Sequence, residues 1–204
     1  MKNNIEVLEE KAKSILDKLL EYTKSDDNLV RVDTIEVLKI FFSAEVQDVL
    51  LLSLNDKDEL VQVSAIEALV AIKNKDYIPY IKDKLNSKSW LVRAYAAEAL
   101  GDYLDISSTS LLIEKISSAY EEEIPRIYYA LIKFGEIKYL SLLYECLNHN
   151  NYRIRIATSN LLYYLANSNN IDEIEKKLRS RLNIENEKSV IFAIKGIIED
   201  ITTN

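Results

Sequence analysis

The chain is poor in the residues that punctuate, cross-link and ligate. Three glycines and two prolines in 204 residues leave too little turn chemistry for a sandwich or barrel of many short strands. One cysteine, Cys146, excludes an internal disulfide framework, and one histidine, His149, excludes a histidine-rich metal cluster. Gly101, Gly135 and Gly196 stand alone, so no glycine-rich phosphate cradle can be built from them. The longest apolar stretches, such as Val49–Leu52, are far too short to span a bilayer. The opening MKNNIEVLEE lacks the apolar core of a secretory signal, and a cytoplasmic location is expected. A formal net charge of −7 and a pI near 5.0 argue against duplex DNA or an anionic membrane as the main partner.

What is present is a repeat. Leu54 to Val61, followed by Ala65 and Glu67-Ala68-Leu69, matches Leu85 to Val92, followed by Ala96-Ala97-Glu98-Ala99-Leu100-Gly101, at an offset of 31 residues. The same step upstream reaches Asp27 to Arg31 and Ile35 to Leu38. Downstream the pattern returns at Leu147-Asn148, Asn151, Ile154-Arg155 and Leu182-Asn183, and ends in an apolar helix around Val190–Ile201. The stretch from Ile116 to Gly135 fits only with a shift of one residue. Each copy reads as two helices. Asp27, Asp58, Ser89 and Asn151 are N-cap residue types placed three positions before a Val or Ile anchor. Val61, Ala65, Leu69 and Ile72 recur as the stripe a second helix buries. The Leu-Asn pairs close the first helices, with Asn expected in the left-handed conformation. Pro79 and Pro125 fall near helix starts.

The run Leu91-Val92-Arg93 through Gly101, with its 31-residue period, resembles the HEAT repeat family in its short bacterial form, over roughly residues 20–201. The resemblance implies an all-α fold: an α-α superhelix (solenoid) of about six antiparallel helix pairs, with second helices lining the concave side. We expect a single domain over 1–204, capped at one end by a helix from about Asn4 to Tyr22. The last helix carries Val190, Phe192, Ile194, Ile197, Ile198 and Ile201 on more than one face. Either its outer side joins another chain as a homodimer contact, or local packing hides it. The resemblance also suggests a ladder in which Arg31, Arg93, Arg126 and Arg155, with Gln62 replacing one, bond turn groups. A phosphate-binding stripe is the other reading of the same residues.

Chemistry is scarce. Cys146 and His149 lie three apart near a helix end, and neighbouring helical residues rarely aim at a common substrate atom. A semi-buried thiol and a solvent-tipped imidazole are expected. No catalytic residue, metal or cofactor is assigned. The informative positions lie on the second helices. Glu36, Glu67 and Glu98 recur at steps of 31, flanked by Asp33, Tyr95 and Asp102. Stacked at about 10 Å, neighbouring carboxylates repel by only about 0.4 kcal/mol in water. The row is tolerable, and it sums to a field that attracts a basic partner. Its simpler reading is a solvated face of good helix formers. Further along, the equivalents become Tyr128, Tyr163 and Tyr164, and ten of the 13 tyrosines lie at or after Tyr95. Tyrosine concentrates at binding surfaces, though it also fills gaps between helices.

The expectation is therefore a non-enzymatic scaffold that grips another protein, one with a basic surface, in an acidic and aromatic concave face. A bacterial immunity protein neutralising a toxin is a narrower version. The resemblance also admits enzymes: a HEAT-like lyase attaching bilin chromophores, or a HEAT-like DNA glycosylase. No motif singles out a tetrapyrrole site. Trp90 falls in an inter-helix turn, and an acidic row repels phosphates, which weighs against the glycosylase.

Overall fold

A computed structural model describes residues 2–41 and 43–203, with side chains from residue 5 onward. Its helices are α1 (Lys2–Tyr22), α2 (Asn28–Leu38), α3 (Ala44–Ser53), α4 (Glu59–Ile72), α5 (Ile78–Lys84), α6 (Trp90–Asp102), α7 (Thr109–Ile116), α8 (Ile124–Lys133), α9 (Lys138–Cys146), α10 (Tyr152–Leu165), α11 (Ile171–Leu182) and α12 (Lys188–Thr203). Short 3-10 turns, Lys75–Tyr77 and Ile106–Ser108, lead into α5 and α7. No strand occurs among the described residues. The all-α fold of paired helices is as expected. The chain divides into two compact units, residues 1–99 and 100–204, with the boundary inside α6.

In the first unit, α2 packs on α4, α1 on α2, and α3 on α4. The core holds Ile35, Leu38, Val46, Leu50, Val61, Ala65 and Leu69, each fully buried. In the second unit, α10 packs on both α8 and α12, and α7, α9 and α11 lie against these second helices. Leu112, Leu131, Leu143, Leu162, Ile174, Leu178 and Ile194 form that core. Stacking of this kind lets each pair bury the stripe it cannot hide alone.

The caps follow the sequence. Asp27, Asp58 and Asn151 accept bonds from the backbone N–H two residues on, at 2.9, 2.9 and 3.0 Å, and Ser89 accepts from Val92 N at 3.4 Å. Pro79 and Pro125 occupy the first turns of α5 and α8. The first-helix ends differ from expectation. Leu54 and Leu85 are right-handed C-caps whose N–H groups close ordinary last turns, so the following Asn needs no left-handed conformation. The left-handed residues instead end the second helices: Lys73 (φ 60°), Leu104 (φ 54°) and Gly135 (φ 100°). These stand 31 apart, and residue 42, one step earlier, lies outside the described residues.

That marker settles the divergent fourth copy. Its end is in register at Gly135, but α8 begins at Ile124, whereas α2, α4, α6 and α10 begin at 28, 59, 90 and 152. The copy has lost the first turn of its second helix. Pro125 at the new start explains it, because proline has no N–H to bond the carbonyl four residues back and its ring clashes with that carbonyl, so no helical turn precedes it.

At one end an expectation changes, and at the other local packing, one of the two readings of the last helix, accounts for most of its apolar residues. The first helix packs on α2 but is not a fully packed cap: every residue from Ile5 to Ile15 is exposed, and half-buried residues begin at Leu16. In α12, Val190, Ile194, Ile197, Ile198 and Ile201 are all buried within the unit, which leaves Phe192 outside at 83% exposure. The apolar residues of the last helix are mostly absorbed by α10 and α11.

Candidate functional site

The arginine ladder is built by geometry that recurs with the period. Arg31 Nη1 donates to the carbonyls of Ser25 and Asp26, at 2.7 and 3.2 Å. Arg93 Nη1 donates to Ser87 and Lys88, and Arg155 Nη1 to His149 and Asn150. Gln62 makes the shorter version, donating to the Asp56 carbonyl at 2.7 Å. Each side chain thus reaches back to satisfy the carbonyls of the turn that opens its own helix. Arg31 also forks onto Asp56 at 2.9 and 2.7 Å, and Arg155 onto Glu185 at 2.8 and 2.9 Å. Arg31 and Arg155 are therefore spent on structure, and the phosphate-stripe reading loses them. Arg126 sits two residues beyond the 31-residue step from Arg93, because of the shortened α8.

The Glu185 carboxylate is the most committed acid of the second unit. The Arg155 guanidinium holds its pKa down at about 2 against the cost of burial, with Arg181 and the Glu187 N–H assisting. Asp56 is pushed up by burial, but its bonds to Arg31 and to the Asp58 N–H leave it below the usual carboxylate value. Burial pushes the Cys146 thiol up to about 11, and its Sγ donates to the Leu142 carbonyl at 3.4 Å. His149 accepts from Asn151 N at Nδ1, 3.0 Å away, and turns Nε2 toward Glu121 at 3.5 Å. The thiol and the imidazole are thus both held by local contacts. Among the described residues, no group of three or more His, Cys, Asp or Glu side chains could hold a metal ion.

The acidic row does not present three equal carboxylates. Glu67 and Asp33 are exposed. Glu36 is half-exposed and pairs with Lys39 one turn on, at 2.5 Å. Glu98 is half-buried, with one carboxylate oxygen shielded from water, and Tyr95 beside it is half-buried. The open stripe on these helices also takes in Ile40 at 65% exposure, Ala71 and Asp102, each four residues beyond a glutamate of the row.

In the second unit, the step of 31 from Glu98 arrives at Tyr129, not at Tyr128. Tyr129 is buried, and its hydroxyl donates to exposed Asp102 at 2.5 Å. Tyr128 stacks on Tyr139 at 5.3 Å between ring centres, and burial raises its pKa. Tyr163 and Tyr164 meet edge to face at 5.5 Å, and Tyr164 is 61% exposed. The tyrosines therefore divide between fillers and surface.

A groove not foreseen from the sequence lies between α9 and α11, with a volume of about 630 Å³. Leu140, Tyr144, Leu147, Lys177, Arg181 and Ile184 line it. The Lys177 ammonium lies 5.1 Å from the Tyr144 ring centre. Burial pushes the Tyr144 hydroxyl up to about 12. Only the spacing of two first helices in space reveals the groove; no motif marks it.

Comparison with known proteins agrees with the geometry. The family described as HEAT repeats matches residues 47–124, and no curated protein matches the chain. Among solved structures, the complex of CpcE and CpcF of phycocyanin lyase from Nostoc sp. is similar at a TM-score of 0.58 and 18% identity, over 88% of this chain and 74% of that one. Human deoxyhypusine hydroxylase, in complex with glycerol, is similar at 0.56 and 12% identity, over the full length of both chains. At such identities the likeness is one of fold. No described helix is long and apolar enough to cross a membrane. Residues 47–124 thus match HEAT repeats, and the chain as a whole has the fold of a helical repeat protein.

Proposed function

We propose that this protein is a non-enzymatic binding scaffold whose second-helix face in residues 1–99 receives a partner protein with a basic surface. The observation that carries the reading is the open acidic stripe on α2 and α4. These helices pack directly on one another; they expose Asp33 and Glu67 to solvent and Glu36 in part, beside Lys39. Carboxylates held on rigid neighbouring helices attract and orient a cationic surface without any new fold being formed. Tyr95 and Glu98 on α6 extend the set. In the second unit Tyr163, Tyr164, Tyr128 and Asp102 are the residues assigned to contact, with exposed Tyr164 the anchor. A raised Cys146 thiol and a locally bonded His149 fit a protein that binds and does not react. The narrower reading is a bacterial immunity protein that works in the cytoplasm and occludes a basic toxin domain.

The test is capture from native lysate by the wild type and by a Glu36→Lys, Glu67→Lys variant. Both substitutions lie on solvent-facing positions, so circular dichroism is expected to be unchanged. A basic protein captured by the wild type, lost in the variant and released by raised salt supports the reading. Equal capture by both chains, or capture that salt does not weaken, overturns it. For the narrower reading, the captured protein should be toxic to cells lacking this chain and harmless in its presence.

A further inference from the structure

The groove between α9 and α11 holds an unanswered donor. Tyr144 starts on α9, and the Lys177 ammonium of α11 stands over its ring, 5.1 Å from the centre. The ring therefore forms floor between the two helices. Tyr144 is only 7% exposed, and its hydroxyl, shielded from water, has no hydrogen-bond partner among the described residues. Buried polar groups are satisfied in the great majority of cases, and one that is not needs a physical reason. Burial, with the Glu173 charge nearby, pushes this hydroxyl up to about 12. At neutral pH it stays protonated and able to donate.

Two cations line the same groove. Arg181 is held by Glu185 at 2.9 Å, whereas the Lys177 ammonium meets the Tyr144 ring and makes no ion pair among the described residues. Leu140, Leu147 and Ile184 supply an apolar wall. The volume, about 630 Å³, falls in the range of small-molecule sites. We propose that this groove binds a small amphiphilic carboxylate, a hydrocarbon chain or ring that ends in one carboxylate group. The carboxylate accepts from the Tyr144 hydroxyl and pairs with the Lys177 ammonium. Its apolar body lies on Leu140, Leu147 and Ile184. Lys177 is exposed, so its arm can swing off the ring as the ligand enters.

Glu145 and Glu173 also line the groove and oppose an anion. Both are exposed, where water and salt screen them, whereas a charge-assisted hydrogen bond on a shielded floor keeps its strength. An organic cation is the poorer occupant, because the Lys177 ammonium already holds the ring face it would need. An alcohol meets the hydroxyl but leaves the ammonium without a counter-charge. The groove is open to solvent along one side, so a short-chain ligand binds with a dissociation constant on the order of 1 mM. The site lies within residues 100–204 and does not depend on the partner surface proposed for residues 1–99.

Magnetic-resonance titration of the isotope-labelled full chain tests this with octanoate, octanol and octyltrimethylammonium, which share one apolar tail. Octanoate should shift the amides of α9 and α11, and the other two should bind at least about tenfold more weakly. Tyr144→Phe and Lys177→Gln should each weaken octanoate about tenfold. Glu173→Gln should tighten it about threefold by removing the opposing charge. Lys195→Gln, exposed on α12, should leave it unchanged. Stability of the ligand-free chain is a second readout. Tyr144→Phe deletes an unpaired buried hydroxyl, so its melting temperature should equal or exceed that of the wild type. A fall of more than about 3 °C would give the hydroxyl a structural partner and overturn the proposal. So would octanoate shifts outside α9 and α11, equal binding of the alcohol or the cation, or full affinity in either Tyr144→Phe or Lys177→Gln.

Discussion

Glu185 shows what a single side chain can decide here. Its carboxylate accepts from Arg155, from Arg181 and from the N–H groups of Asn186 and Glu187, which holds its pKa near 2 against an ordinary value of 4.5. Because the folded value is the lower one, the stabilisation is fully present above about pH 4.5 and drains away as pH falls toward 2. Glu185→Ala leaves Arg155 buried with an unmatched charge, a loss of about 3 kcal/mol at pH 7. Urea titrations at pH 7 and pH 3 should show a large gap between wild type and variant at the higher pH and a smaller one at the lower. An unchanged gap would mean the pair contributes packing alone. Cys146 makes the opposite case, a reactive residue type rendered inert. With its thiol pushed up to about 11 by burial, the thiolate fraction at pH 8 is about a thousandth. Labelling by a disulfide reagent should be slow in the folded chain and fast in urea; equal rates would place the thiol in solvent.

At the scale of elements, the helix starts were legible because the caps are local chemistry: a side chain two residues from the N–H it satisfies. The ends of the second helices were not legible. Lys73 and Leu104 adopt a conformation that sequence assigns to glycine or asparagine, so only Gly135 carried any signal. The shortened α8 was visible as a loss of register, with Pro125 as its cause. The candidate row was legible in spacing but not in exposure, since the burial of Glu98 depends on neighbours the period does not name. Two substitutions of opposite sign probe these elements. At Gly101, an added Cβ would meet the Ala130 Cα at 2.8 Å, and backbone on the neighbouring helix cannot swing aside. Gly101→Ala should therefore cost about 1–3 kcal/mol through overpacking, partly offset by about 1 kcal/mol of helix propensity. Leu104, half-exposed in a left-handed turn, loses little burial when replaced. Leu104→Gly should raise the melting temperature by a few degrees, while Gly101→Ala lowers it. Equal shifts in the same direction would contradict both accounts.

At the scale of the molecule, the period governs how a local lesion spreads. Contacts that join residues 25 to 30 apart tie each copy to the next: Asn28 to Asp58, Arg31 to Asp56, Tyr77 to Gln47, Asn151 to Glu122 and Arg155 to Glu185. Stability in such an array is a sum of copy terms and nearest-neighbour terms, so damage should decay with distance along the chain. Glu185→Ala removes the last of these ties. Native-state hydrogen exchange should rise most in α11 and α12, which lose their charged tie to α10 while α12 still packs on it. It should rise less in α8 and α10 and hardly at all in α2 and α4, which belong to the other compact unit. The amides of residues 5 to 15 should exchange quickly in dilute solution whatever the variant, because no described part of the chain covers them. Protection in α2 and α4 that falls as far as protection in α12 would mean the chain opens as one cooperative body, and the nearest-neighbour description would fail.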